Sequence, residues 1–161
     1  MVSAIYQDHA VGLIRLAVVM LGDRAAAEDA VQDAVIGLYS RWSQLADTSK
    51  ALGYVRSSVL NRCRSELRSR MRAQRRAARQ IVSHESASAE VMALITEEHR
   101  QVLLALRRLP PRQREALVLR FYLDLPVPEI AAAMGVTEGT VKSTTSRGLT
   151  ALAQLLGEDK R

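Results

Sequence analysis

Cysteine is almost missing from this chain: its 161 residues include only Cys63. A single thiol cannot close an internal disulfide or build a thiolate metal site, which fits a reducing, cytoplasmic setting. The histidines, His9, His84 and His99, are scattered, so no metal centre is expected. Aromatic residues make up 4% of the sequence (Trp42, Phe121 and four tyrosines), and the alternating β-branched runs that strands need are missing. The longest apolar run, Ala10 to Leu21, is broken by Arg15 and falls short of the ~20 residues that span a bilayer. Met1 to Gln7 carries no basic region ahead of that run, so neither a signal peptide nor membrane insertion is expected. There is no glycine-rich phosphate loop, no nucleophile arrangement and no ligand cluster. Catalytic residues, cofactors and metals are therefore expected to be none, and an enzyme is the least favoured class.

The chain is instead rich in Ala, Leu, Arg, Gln and Glu, the composition of an all-α protein. Its formal charge of +6 draws it to a polyanion, nucleic acid before anionic membrane, with binding that weakens as salt rises. The charge is unevenly placed. Gly22 to Asp33 is acidic, Arg56 to Arg79 carries nine arginines against Glu66, and Gln80 to His99 turns acidic again. Such alternation predicts separate surfaces for separate partners.

Helical periodicity predicts helices from about Ala4 to Leu21, Ala25 to Leu45, and Ala51 into the arginine-rich stretch. Val31, Val35, Leu38, Tyr39 and Trp42 give the second of these an apolar face; Tyr54, Val55, Val59, Leu60 and Leu67 serve the third. The Ser- and Ala-rich stretch Ile81 to Ala89 reads as the centre of a linker. Beyond it, helices are expected over Val91 to Leu109, ending at Pro110-Pro111, then Arg112 to about Leu123, Glu129 to Met134, and Glu138 to Leu156. The expected organisation is two helical bundles, 1–79 and 93–161, joined by a linker over 80–92.

The stretch from Pro126 to Ser143 is the most informative. Ile130 and Met134 lie one turn apart, Gly135 suits the left-handed position that ends a helix, Val136 can plug the corner, and small Ala131 and Ala132 permit close approach. Thr137 can cap the next helix and Val141 face back to the first. These are the requirements of a helix-turn-helix whose second helix enters the major groove. With Val141, Thr145, Leu149 and Leu152 inward, that helix would present Glu138, Thr140, Lys142, Ser143, Ser146 and Arg147. Lys142 and Arg147 suit phosphates or guanine edges, and the hydroxyls suit either role. Arg107, Arg108, Arg112 and Arg114 just upstream would add a phosphate-binding rim. The competing reading is an ordinary helical hairpin.

Taken with the N-terminal half, the chain resembles a sigma factor of the extracytoplasmic-function type, the smallest class, with two helical regions joined by a linker. Gly22-Asp-Arg-Ala-Ala-Ala-Glu-Asp-Ala-Val-Gln-Asp-Ala-Val is similar to the region 2 segment that docks on the β′ coiled coil of core RNA polymerase, which implies that role for Asp29, Gln32 and Asp33. The stretch from Tyr54 to Arg68 is similar to the family's −10 recognition helix and implies DNA contacts for Asn61, Arg62 and Arg68, with Arg56 on the same helix. The loop from about Ser43 to Lys50 falls where the family holds a flipped base. Leu109-Pro-Pro-Arg-Gln-Arg-Glu-Ala-Leu and the helix-turn-helix resemble region 4, which reads the −35 element and leans on the β flap; this implies contacts for Arg112, Thr137, Glu138, Thr140, Lys142, Ser143, Ser146 and Arg147. An anti-sigma factor is a further partner that the resemblance allows. The chain departs from the family pattern at Ser65, Pro126, Thr144-Thr145 and Leu149, which implies fewer phosphate contacts at −35. Two other classes stay open: a stand-alone regulator binding an operator, with the first bundle for dimerisation or sensing, and a helical adaptor with no nucleic-acid role. The pair Asp29 and Asp33 is read as a surface patch, not an acid/base pair.

Overall fold

The structure, a computed structural model, describes residues 1–77 and 96–158, and among them there are seven α-helices and no strand. The centre of the expected linker and the expected helical residues 91–95 lie outside the described residues.

The first bundle is made by three helices, α1 (Val2–Leu21), α2 (Arg24–Arg41) and α3 (Ala51–Ala77). The turn between α1 and α2 is set by two residues. Gly22 takes φ 69 and ψ 12 and returns its N–H to the carbonyl of Val18 at 2.7 Å, a left-handed C-cap that glycine adopts without strain. Asp23 then caps α2, its Oδ1 accepting from the Ala25 and Ala26 amides at 2.9 and 3.4 Å. The face α2 buries is Ala27, Ala30, Val31, Ala34 and Leu38, whereas Tyr39, expected inside, is 74% exposed. Alanines let α1 and α2 approach closely, so the seam follows the small residues and not the large ones on which the periodicity was read. Two short turns, Trp42–Gln44 and Thr48–Lys50, lead to α3, with Trp42 half-buried against the core. Asp47 fixes the second turn by accepting from the Ser49 hydroxyl at 2.6 Å and amide at 3.0 Å, and these bonds hold its carboxyl below the ordinary range.

The second bundle comprises α4 (Glu97–Arg108), α5 (Pro111–Leu117), which runs on into a π-helical turn Val118–Tyr122, α6 (Val127–Met134) and α7 (Glu138–Glu158). One apolar cluster continues through both bundles, from Leu16, Met20, Val55, Val59 and Leu60 to Leu119, Ile130, Met134 and Val141. By length and composition α1 could cross a membrane, and it is longer than its apolar run suggested; here Leu13, Leu16, Ala17, Met20 and Leu21 are spent on the core.

Arg114 corrects the reading of Arg107 to Arg114 as a phosphate-binding rim. It is only 7% exposed and donates to four carbonyls: Met20 (2.6 Å), Leu106 (3.0 Å), Arg107 (2.9 Å) and Leu109 (3.1 Å). A guanidinium has five donors and stays charged, so it can tie the frayed C-terminal ends of α1 and α4 at once. Burial, with the neighbouring Arg107 charge, lowers its pKa without reaching neutrality.

Cys63 sits fully buried in α3, where burial first and the Glu115 carboxylate second push its thiol up to about 12. A folded-state pKa raised above the ordinary 9.0 adds stability that is present below pH 9 and is lost as pH climbs towards 12. The thiol should therefore ignore an aromatic disulfide reagent at pH 8 in the native protein and react at once in denaturant. Fast native reaction would show that Cys63 is open to solvent.

Candidate nucleic-acid interface

The helix-turn-helix is built as the sequence suggests. At the end of α6, Gly135 (φ 66) donates to Ala132 O at 3.3 Å and Val136 to Ala131 O at 3.0 Å, the paired bonds of a Schellman ending. Thr137 Oγ1 accepts from the Thr140 amide at 3.2 Å and caps α7. Pro126 occupies the cap position of α6 and Pro128 the second helical position, one place later than expected, and the Pro126 carbonyl accepts from Glu129 and Ile130. Both prolines sit where an amide proton would have no helical partner.

On α7, Thr137, Glu138, Thr140, Lys142, Ser146 and Arg147 are exposed, and Ser143 is half-buried with its hydroxyl on Thr140 O. The inward face is Val141 and Gly148, seven residues apart. Gly148 is held so close to Leu117 that a Cβ would lie 3.2 Å from Leu117 Cγ. Leu149, expected inward, is 44% exposed, because Gly148 takes the contact with α5 and turns its neighbour outward. Thr145 and Leu152 are half-buried, and the Thr145 hydroxyl has no hydrogen-bond partner.

The remaining candidates are less free than their types suggest. Arg112 donates through Nη1 to Glu115 Oε2 at 3.0 Å and to Met134 O at 3.1 Å, so it braces the end of α6. Arg107 packs its guanidinium on Gly22. On α3, Arg56 reaches Glu129 at 3.4 Å, and burial lowers its pKa against that pairing. Asn61 accepts from Arg64 at 2.5 Å, and Arg68 is exposed. Arg62 donates to Asp33 Oδ2 at 3.1 Å and Asp33 O at 3.4 Å, which brings one residue of the expected polymerase face against one of the expected −10 set. The two lie on a shared groove of about 800 Å³ between α2 and α3, with Asp29, Asn61, Ser65 and Arg72 along it. Asp29 and Gln32 are exposed.

Two features escaped the sequence reading. Ile36 is 61% exposed and continues the line of Asp29, Gln32 and Asp33 at helical spacing, with Tyr39 beside it, so the acidic face of α2 is also apolar. The spacing itself was the available signal. Arg64 and Glu115 join the bundles through Nε to Oε1 at 2.7 Å and Nη2 to Oε2 at 3.2 Å. Nothing in one sequence marks such a pair.

A recognition helix open to solvent in one bundle and an arginine-dense helix in another define a helical DNA-binding protein of transcription. Residues 5–73 match the family model for Sigma-70 region 2, and residues 99–152 match that for Sigma-70, region 4. The chain is 33% identical over 147 residues to the RNA polymerase sigma-E factor of Streptomyces coelicolor, covering 89% of this chain and 79% of that protein. It is 28% identical over 159 residues to the ECF RNA polymerase sigma factor SigM of Mycobacterium tuberculosis, covering 95% and 76%. Its fold is similar to that of the sigma factor RpoE from Bartonella quintana, solved in complex with the anti-sigma factor NepR, with a TM-score of 0.73, 23% identity and coverage of 94% and 95%. The chain belongs to the sigma-70 family of RNA polymerase sigma factors, in the extracytoplasmic-function group. It is a sigma factor for promoter recognition, a class of protein that is not enzymatic, and the stand-alone operator-binding regulator is not favoured.

If Lys142 meets a backbone phosphate, Lys142→Ala lowers affinity for duplex DNA and reduces the slope of log affinity against log salt by about 1. An unchanged slope in a fluorescence-anisotropy salt titration would remove Lys142 from the contact set.

Proposed function

We propose that this chain, acting in the cytoplasm, docks on core RNA polymerase through α2 and carries it to promoters, where α3 reads the −10 element and α7 the −35 element. In this reading residues 1–79, 80–92 and 93–161 are the −10 unit, the linker and the −35 unit. Asp29, Gln32 and Asp33 face the β′ coiled coil, and the exposed Ile36 and Tyr39 supply the apolar part that an acidic patch alone lacks. Arg56, Asn61, Arg62 and Arg68 serve −10 DNA. Arg112, Thr137, Glu138, Thr140, Lys142, Ser143, Ser146 and Arg147 serve −35, with Arg112 as brace to the turn and the rest as the reading face. The reading rests above all on the exposed polar face of α7 behind the Gly135 turn, joined in one chain to α3 with its run of arginines. Chemistry stays with the polymerase, and strand opening is driven by binding energy spent on the unpaired strand.

An anti-sigma factor is a further partner this reading admits, since RpoE and the similarly folded CnrH were both solved with anti-sigma partners. A largely apolar groove of about 1110 Å³, with Val11, Ile14, Val18, Val102, Phe121 and Leu149 on its walls, has the form to take one amphipathic helix of such a partner. Phe121→Asp should break that complex, and a complex formed unchanged would exclude the groove.

Run-off transcription with core polymerase tests the main reading. The chain should yield a discrete start on a promoter found by genomic run-off mapping. Asp29→Ala should weaken core binding about fivefold, or about 1 kcal/mol, with folding intact. No association with core polymerase at low salt would end the proposal.

A further inference from the structure

The arginines of α3 that face the second bundle are already occupied by carboxylates. Arg64 is bidentate with the fully buried Glu115, and Arg56 reaches Glu129 at the start of α6. Both acids come from the other half of the molecule, and a guanidinium makes the same paired contact with a phosphate as with a carboxylate. Asn61 is drawn in as well, bonded to Arg64.

The polar groups at this seam share a second property: each keeps a partner from its own side, or water, if the bundles part. Glu115 keeps Arg112, Arg64 keeps Asn61, and Arg114, on losing Met20 O, still holds the Leu106, Arg107 and Leu109 carbonyls. Glu129 is more than half exposed already. A buried ion pair whose members have no other partner is strongly destabilising to break. This seam avoids that penalty and is therefore suited to reversible opening.

We infer that the free chain rests in a closed form in which Glu115 and Glu129 stand in for DNA phosphates on Arg64 and Arg56, and that the bundles must separate before α3 takes hold of a DNA strand. The inference rests on the reading of α3 as a DNA-binding helix. The charge-rich α3 gains two neutralising carboxylates in the closed form, and a DNA strand replaces them with phosphates and releases counterions as it does so.

The test uses the full chain with spin labels on Ser40→Cys in α2 and Ala153→Cys in α7, both exposed sites, while the buried Cys63 stays unlabelled. The free chain should give one narrow inter-label distance. Glu115→Gln with Glu129→Gln should broaden and lengthen it, and should raise affinity for an oligo-dT strand about tenfold at low salt. Glu129→Gln alone, at an exposed position that does not endanger folding, should move both readouts in the same direction by a smaller amount. A broad distribution in the unsubstituted chain overturns the closed form, as does unchanged oligo-dT affinity in a double variant that keeps its helicity. The underlying reading fails by a different sign: no promoter-specific run-off with core polymerase, whatever the distances show.

Discussion

Glu115 is a carboxylate with no solvent contact, and the arrangement of both bundles answers to it. An isolated ionised carboxylate in an apolar interior would cost many kcal/mol, so the charge persists only because Arg64 and Arg112 reach it from opposite sides. The consequences run outward along both arginines. Arg112 uses the same Nη1 to hold the Met134 carbonyl, which fixes the last turn of α6 and hence the direction in which α7 leaves. Arg64 holds Asn61, which sets how α3 presents its polar face. A continuous chain of charge-assisted bonds thus links the helix assigned to −10 with the turn that aims the helix assigned to −35.

Rigidity and freedom are divided along the same line. The turn at Gly135 is determined by backbone bonds, by the Thr137 cap and by close contact of Gly148 with Leu117, none of which uses the outward side chains of α7. The reading face can therefore vary in sequence without disturbing the scaffold. On α2 the division is similar: alanines make the seam with α1, leaving Asp29, Gln32, Ile36 and Tyr39 for a partner. Arg62 and Asp33 are the exception, since each satisfies the other. Core binding at Asp33 would release Arg62 towards DNA, and this pair offers a local route by which docking and promoter contact can favour one another.

Much of this was legible in the chain because it is local. Helix ends follow from Gly22-Asp23, Pro110-Pro111 and the Gly135 turn, each a matter of a few adjacent residues and their backbone preferences. The region 2 and region 4 patterns are also runs of neighbouring residues. The failures have a common physical origin in tertiary choice. Tyr39 and Leu149 fit an apolar periodicity but are displaced outward by Ala34 and Gly148, because close helix packing selects small side chains at the seam. Arg114 looked like a phosphate contact because an arginine's type does not say whether DNA or four carbonyls will take its donors. The pairing of Arg64 with Glu115 spans 51 positions and has no local signature at all.

That last pair also explains why a strongly basic chain need not bind DNA strongly. Net charge sets the long-range attraction, but a grip depends on guanidinium groups being available at the moment of contact. Here Arg56, Arg62, Arg64 and Arg112 are each engaged by a carboxylate of the same chain, and Arg114 is buried. The positive field is kept while a large part of the contact chemistry is held in reserve. Exposed pairs such as Arg62 with Asp33 yield readily, because in water such a bond is worth on the order of 1 kcal/mol or less. The buried Glu115 pair yields only with movement of a whole bundle. DNA contact at α3 is thereby made to depend on what separates the two halves, and a partner that grips α2 and α7 at a fixed spacing could supply that separation.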